Sequence, residues 1–370
     1  MSLQIHDVLE LSLNISGEDY DLSVGNQLDF LYIGTSTVAM LPTMQLRIVD
    51  IHGRLERLLT DMCKITVSMK PYTAKMVTFN FLKYNHQRDQ DVTGFYVYTI
   101  DAYLAHPVYF IGCSNETYRA SASGVLSTIC DKSGLTPDLI STSDTMLWAQ
   151  NNRSFGVMAD YVCAHAYSGS TSCMALAVDV DSKMRMRDLN NLGSSVAVHN
   201  VIAFDNTPDA MMAVSFNHYA TSGVNNVLTG YNNARVMQSI MSATNPVANT
   251  VQYTPDSKQP YINTDIKKVA ERGRVRFTPI DSGNVHSNFE QAEYQNRRYR
   301  NLYSSKLELM LASPSRIKVM DKINFTTVDK NGNKDVAVSG EYIVTGRVFG
   351  VRGRVFSERI DCARKGSNAV

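Results

Sequence analysis

The residues of this 370-residue chain that could do chemistry fall into a few small groups. Cys163, His165 and Cys173 carry the thiolate and imidazole donors that zinc prefers. Residues two apart on a helix point to different faces, however, so Cys163 and His165 are expected to diverge, leaving buried thiols and an exposed histidine. Glycoside hydrolysis needs two carboxylates across a cleft. Glu290 and Glu293 instead lie one turn apart on a single expected helix and pair more naturally with Arg297. Gly346, Gly350 and Gly353 look like a phosphate loop, but no Lys-Ser/Thr follows and the surroundings read as strand. A bulged or twisted strand is expected there. GxSxG, HExxH, the Walker-type glycine-lysine loop and a helix-opening GxGxxG are all missing from the sequence. The pattern therefore predicts no catalytic residue, no metal and no cofactor.

Basic residues cluster twice. Arg272, Arg274 and Arg276 alternate along an expected strand, and Arg297, Arg298 and Arg300 close a long helix. Cations at a helix C-terminus complement its dipole. They could equally meet an acidic partner, and Arg297, Arg298 and Arg300 are candidate partner contacts. Without an aromatic stacking platform, and with a net charge of +1, sequence-specific nucleic-acid recognition is not expected.

The elements that must position these residues show in the periodicity. Leu9, Leu11, Leu13 and Ile15 alternate, as do Leu28, Phe30 and Tyr32, then Val77, Phe79 and Phe81, then Phe95, Val97 and Thr99. Period two predicts half-buried antiparallel strands and a small barrel or sandwich. Ala122, Val125, Leu126, Ile129 and Cys130 then fall on one helix face, with Ser121 as N-cap and Gly134 as terminator. A second helix is marked by Phe155, Met158, Ala159 and Val162 behind Ser154, and Trp148, the only tryptophan, lies between the two. From Lys183 the pattern is strand again. A mixed stretch follows, with a short helix expected at Val236 to Met241 and a longer one carrying Val285, Phe289, Ala292, Asn296, Tyr299 and Tyr303 on one side. The last sixty or so residues return to β, with Asn331-Gly332 expected in a type I′ turn. The fold class expected is α+β, mainly β: two small antiparallel β-barrel domains with α/β insertions.

Composition adds a different signal. Charged residues make up 19% of the chain, below the roughly 25% of ordinary soluble domains. Low charge content together with a net charge near zero leaves little to keep copies apart, so much of the surface is expected to be covered by partners. The deficit is local: from Ala210 to Pro255 the only formally charged residue is Arg235. That stretch carries Asn225, Asn226, Tyr231, Asn232 and Asn233, neutral polar and aromatic residues of the kind enriched where interfaces exclude charge. These five are the candidate assembly-interface residues; a long neutral loop is the alternative. The six cysteines show no paired spacing, which points to reduced thiols made in a reducing cytoplasm. No signal peptide and no membrane anchor are expected.

Three passages resemble the baseplate hub proteins of contractile-tailed bacteriophages, a family related to the N-terminal half of VgrG spike proteins and to late-control tail proteins. They are Tyr118 to Ile129 leading to Gly134; Ser143-Asp144, Trp148-Ala-Gln150 and Ser154-Phe155; and Asn284 to Asn296 running into the strand at Leu307. Where the family has an acidic residue before the helical phenylalanine, this chain has Ser154. The chain also ends soon after the last strands with no needle or OB-fold extension, which favours a separate hub over a fused spike. The resemblance implies a first, tube-like barrel at 1–110, an α/β domain at 111–182, a second barrel from 183–224 with 305–365, and a mixed insertion at 225–304. It further implies a homotrimer joining the six-fold tail tube to the three-fold spike, with tube, spike, tape-measure and surrounding baseplate proteins as partners. The expected location is the virion tail, with host cytoplasm during assembly. The alternatives are the hub half of a type VI-like injection spike and, less favoured, a tail-associated cell-wall hydrolase.

Overall fold

The computed structural model describes residues 8–21, 27–37, 41–71, 76–90, 94–193, 196–204, 210–220, 235–240, 247–252, 275–280, 285–286, 288–289, 292–293, 295–296, 303, 305–311, 313–353 and 355–365. The fold is α+β and mainly β. Its first part holds β1 (Val8–Ile15), β2 (Glu18–Asp21), β3 (Leu28–Ser36), β4 (Thr43–Asp50), the single-turn α1 (Leu55–Leu58), β5 (Lys64–Pro71), β6 (Val77–Gln90) and β7 (Tyr96–Leu104). These strands pair antiparallel in the order β3-β4-β7-β6-β5-β1-β2. Alternation does the work: Leu13, Ile33, Leu46, Val67, Phe81 and Ile100 all turn inward and share one core.

The middle part comprises α2 (Pro107–Ile111), β8 (Thr117–Ala120), α3 (Ala122–Ser133), β9 (Thr136–Leu139), β10 (Met146–Ala149), α4 (Phe155–His165), β11 (Met174–Val178) and β12 (Lys183–Asp188). Strand β12, beyond residue 182, pairs with β11 and, in parallel, with β9; β8 and β10 form a separate ribbon. Helix α3 starts where Ser121 Oγ accepts from Gly124 N at 3.3 Å. It stops where Gly134 takes the left-handed φ of 73° that glycine tolerates. Helix α4 starts where Ser154 Oγ accepts from Val157 N. Thus the serine supplies the cap that an acidic residue would otherwise give.

The last part holds β13 (Val198–Ala203), β14 (Met211–Ala220), β15 (Arg235–Ile240), β16 (Val247–Gln252), β17 (Val275–Ile280), β18 (Ser305–Leu311), β19 (Lys322–Thr326), β20 (Gly340–Arg352) and β21 (Val355–Arg364). Six of these close a ring, β13-β14-β18-β21-β20-β19 and back to β13. The β13–β14 and β13–β19 pairings are parallel and the rest antiparallel. Val201, Leu309, Phe325, Tyr342 and Ile360 fill the barrel. Its strands come from both sides of the segment that carries β15, β16 and β17.

Three expectations change. The short helix expected at Val236 to Met241 is strand β15, flanked by β16 and β17 on either side. Two-sided pairing overrides a short apolar run whose period is ambiguous. Tyr303 is not helical; its hydroxyl donates to Leu189 O at 2.8 Å. The Asn331-Gly332 turn is not type I′, because Gly332 has a positive φ and Asn331 does not. Asp329 Oδ1 instead accepts from Asn331 N and Asn333 N, fixing a tight turn that ends on a left-handed glycine. A Cβ at Gly332 would meet no neighbour, so Gly332→Ala isolates backbone strain. It should lower stability by about 1 kcal/mol, read as a shift in denaturant midpoint at constant slope.

Candidate assembly surface

The sequence-derived interface residues Asn225, Asn226, Tyr231, Asn232 and Asn233, and the basic residues Arg297, Arg298 and Arg300, lie outside the described residues. Where the charge-poor stretch is described, it is strand: β14, a stave of the barrel, and the paired β15 and β16.

The feature that joins the two β parts is a seam. Strand β3 pairs antiparallel with β20 from Ser36↔Gly346 to Phe30↔Arg352, so the barrel and the N-terminal strands form one thirteen-stranded sheet. Glycine is needed at its centre. A Cβ on Gly350 would sit 2.4 Å from Cδ1 of Tyr32, its partner in the β3–β20 register, whose ring stacks on Phe30. Gly346 pairs with Ser36 at one end of the seam and adjoins a register shift between β20 and β21 on its other side. Facing away from the core, the strands carry polar side chains that bond across to one another. Thr66 Oγ1 donates to Asn80 Oδ1 at 2.9 Å, Ser68 meets Thr78 at 3.0 Å, and Gln45 Nε2 donates to Asp101 Oδ1 at 3.0 Å. Two large apolar residues stand exposed at one end of the barrel. Strands β13 and β19 run parallel, and just past their C-terminal ends stand Phe204, 65% exposed, and Val328, 58% exposed. Phe204 holds a left-handed φ of 59°, unusual for a bulky side chain.

Among the described residues, the side chains considered as metal donors do not converge. Cys163 and Cys173 are buried as expected, but His165 is buried rather than exposed. Its Nδ1 donates to Tyr161 O at 2.8 Å and its Nε2 lies 3.3 Å from Glu293 Oε2, so it does not converge with the thiols. Glu293 meets His165, and its expected partner Arg297 lies outside the described residues, as does Glu290. Burial pushes the Cys130 thiol up to about 12 and those of Cys63 and Cys362 upward, which withholds the thiolate at neutral pH. A cavity of about 460 Å³ opens between the end of β3, β11 and the barrel, bordered by Ala175, Tyr219, Tyr303 and Asp361. Glu308 and Asp361 stand opposite each other there in the β18–β21 register. Each is already engaged, Glu308 by Asn217 Nδ2 and Asp361 by Arg359 Nε at 3.2 Å.

Sequence reasoning missed the polar groups that hold the parts together. Arg185 on β12 donates to Val319 O, to Asp321 Oδ1 at 3.1 Å and to Asp138 Oδ2 at 3.2 Å. Arg187 adds Asp138 Oδ1 at 2.6 Å. Burial raises the Asp321 carboxyl, but His199, the Lys318 amide and Arg185 outweigh it and hold the group below the ordinary carboxylate range. Farther along, Gln295 Nε2 donates to Gly169 O and Ser172 O. Asn296 Nδ2 donates to Ala164 O and Ala166 O while its Oδ1 accepts from Met174 N. Asn296 thus satisfies carbonyls at the end of α4 that the helix itself leaves unpaired. The alternation of arginines in Lys183-Met-Arg-Met-Arg-Asp188 was the one available hint of this network.

No protein-family model matches the sequence, and no curated protein matches it. Solved structures do. The 43 kDa tail protein of prophage MuSo2 from Shewanella oneidensis aligns with a TM-score of 0.61 at 11% identity, over 96% of this chain and 98% of that one. A tail protein from Neisseria meningitidis MC58 aligns with a TM-score of 0.57 at 9% identity, over 96% of each chain. A closed barrel joined by a seam to a second β part, with an α/β unit between them, is therefore an arrangement this chain shares with phage tail proteins along nearly its whole length.

Proposed function

We propose that this chain is a structural hub of a contractile phage tail, a homotrimeric adapter joining a six-fold tail tube to a three-fold central spike, without catalysis or cofactor. The β3–β20 seam carries the reading. It places two β parts side by side in one sheet, so three copies related by a closed rotation offer six such parts to a six-fold ring. The fold shared with phage tail proteins supports it, as does the exposed apolar end of the barrel, which suits a covered surface. On this reading the working units are 1–110, 111–182, 183–224 with 305–365, and 225–304. The partners are tube, spike, tape-measure and surrounding baseplate proteins, and the location is the virion. Assembly contacts fall on Asn225, Asn226, Tyr231, Asn232 and Asn233, with Arg297, Arg298 and Arg300 meeting an acidic partner. Electron micrographs of the purified protein should show three-fold rings, and cell-wall zymograms should be blank. A monodisperse monomer by light scattering at micromolar concentration would overturn the proposal. Asn225→Lys together with Asn232→Lys should leave the far-UV spectrum of the monomer unchanged while impairing trimer assembly; unchanged assembly would remove these residues from the interface.

A further inference from the structure

A serine and a histidine from distant parts of the chain meet at a small cavity. His106 leads from β7 into α2, and Ser182 lies in the turn between β11 and β12. Their Nε2 and Oγ atoms are 2.8 Å apart. The other ring nitrogen, Nδ1, is 3.2 Å from Ser133 O at the end of α3. A carbonyl only accepts, so Nδ1 carries the hydrogen and the neutral ring turns a bare lone pair on Nε2 toward the hydroxyl. Burial holds His106 below the ordinary histidine range, with the Ser133 contact opposing, so the ring is neutral at neutral pH. Ser182 O–H is then the donor and Nε2 the acceptor. Nucleophile, base and orienting acceptor follow in the order that activates a serine, with a main-chain carbonyl where a carboxylate often stands. The nearby carboxylates are engaged elsewhere, Asp181 by Lys318 Nζ at 2.7 Å and Asp179 by the Val180 amide at 2.8 Å.

Two more features set this serine apart. Ser182 holds a left-handed φ of 62°, and its amide donates to Asp179 O at 3.0 Å to close the hairpin. Glycine suits such a position better, and what serine adds there is a hydroxyl. The pair also borders a cavity of about 210 Å³ whose walls include Phe79, Leu104, Val180 and Asn80. Thr66 Oγ1 holds Asn80 Oδ1 at 2.9 Å, so the Asn80 amide nitrogen is the donor this wall offers to charge developing on a bound carbonyl. We propose that Ser182 is a modification site, a nucleophile with His106 as its base, that takes a short acyl group from an activated ester. Oγ bonds the carbonyl carbon while its proton passes to Nε2. The tetrahedral centre then collapses, the C–O bond to the leaving group breaks, and the leaving oxygen takes the proton back from Nε2. An acyl-serine, a free alcohol and a neutral imidazole result. The small volume and apolar walls suit a short acyl chain. The step is one acyl transfer to the chain itself, so it is independent of the hub reading and adds no turnover to it.

The full chain is treated at neutral pH with a fluorophosphonate, which transfers its phosphonyl group to an activated serine with loss of fluoride, and the label is located by peptide mass spectrometry. Ser182 should react at least about a hundredfold faster than an exposed serine such as Ser12, the scale of general-base assistance. His106→Gln removes the base and should bring Ser182 down to the rate of Ser12, with an unchanged far-UV spectrum showing that the fold is kept. Should that variant fail to fold, a second one decides the matter. Ser182→Gly suits the left-handed turn and keeps the hairpin while deleting the nucleophile. With p-nitrophenyl acetate, wild type should release a burst of about one p-nitrophenolate per chain, and Ser182→Gly should lack it. Equal labelling of Ser182 and Ser12, labelling that survives His106→Gln in a folded chain, or a burst that survives Ser182→Gly would each overturn the assignment.

Discussion

Phe155→Ala is expected to lower the unfolding free energy by about 3–5 kcal/mol. The ring is 6% exposed and stands at the first turn of α4. Its own amide donates to Gly112 O at 3.0 Å, and its Cε2 would touch a Cβ placed on Gly112 at 3.0 Å. Backbone and side chain therefore pin the same two points, the end of α2 and the start of α4. The loss combines apolar transfer with a cavity that the neighbouring backbone is poorly placed to fill. Phe155→Leu, which refills most of the volume, should cost less than about 1.5 kcal/mol. Ser154→Ala, which removes only the cap, should cost about 1 kcal/mol. A Phe155→Ala change below 1 kcal/mol, by denaturant unfolding at unchanged slope, would show that the ring does not anchor the helix.

The α/β unit was the part of this chain most legible in its sequence. Helix periodicity, caps and the terminating glycine are local, and Ser121, Gly134 and Ser154 occupy the positions their types suggest. The residues that carried the family resemblance are also the ones most deeply engaged. Asp144, Trp148 and Gln150 are fully buried. Trp148 Nε1 donates to Ala120 O at 2.9 Å. Gln150 accepts from Ser114 and Tyr118 and donates to Arg153 O. Such residues are spent on architecture, so they signal fold without revealing a reactive site. Strands in the N-terminal part were legible because alternation is also local, but their order was not. The step from β4 to β7, or from β5 to β1, depends on partners far along the chain. The seam was hidden for the same reason: neither Tyr32 nor Gly350 announces that one lies on the other. His165 was misjudged because its partner, Glu293, is 128 positions away and on a different helix. The turn at Gly332 shows a finer limit, since Asn-Gly permits both turn types and Asp329 selects between them.

Arg185→Ala should prove as damaging as loss of Phe155, for an electrostatic reason. The guanidinium reaches Val319 and Asp321, in the turn before barrel strand β19, from β12, which pairs with β9 and β11, so it couples parts of the chain that meet only through folding. Removing it strands unequal partners. Asp138 is partly exposed and keeps Arg187, so water and the second arginine compensate it. Asp321 is almost wholly buried and retains His199 and the Lys318 amide but loses its arginine partner, while the Val319 carbonyl loses a donor. Breaking one side of such a pair costs about 3–5 kcal/mol, whereas replacing both sides with matched apolar groups can be nearly neutral. The pH response has a definite sign. A carboxyl held below its unfolded value contributes stability that is present above the unfolded pKa and is lost as pH falls through the folded one. In wild type, Asp321 should therefore support the fold until the acid side is reached. In Arg185→Ala the cation that helps depress it is gone, so its folded value moves back toward the unfolded one and its share of the acid limb should shrink. A double-mutant cycle with Asp321→Asn, run at neutral and mildly acid pH, separates these effects. Coupling that shrinks on acidification is the expected result, and additive losses at both pH values would mean that the bridge does not link the two units.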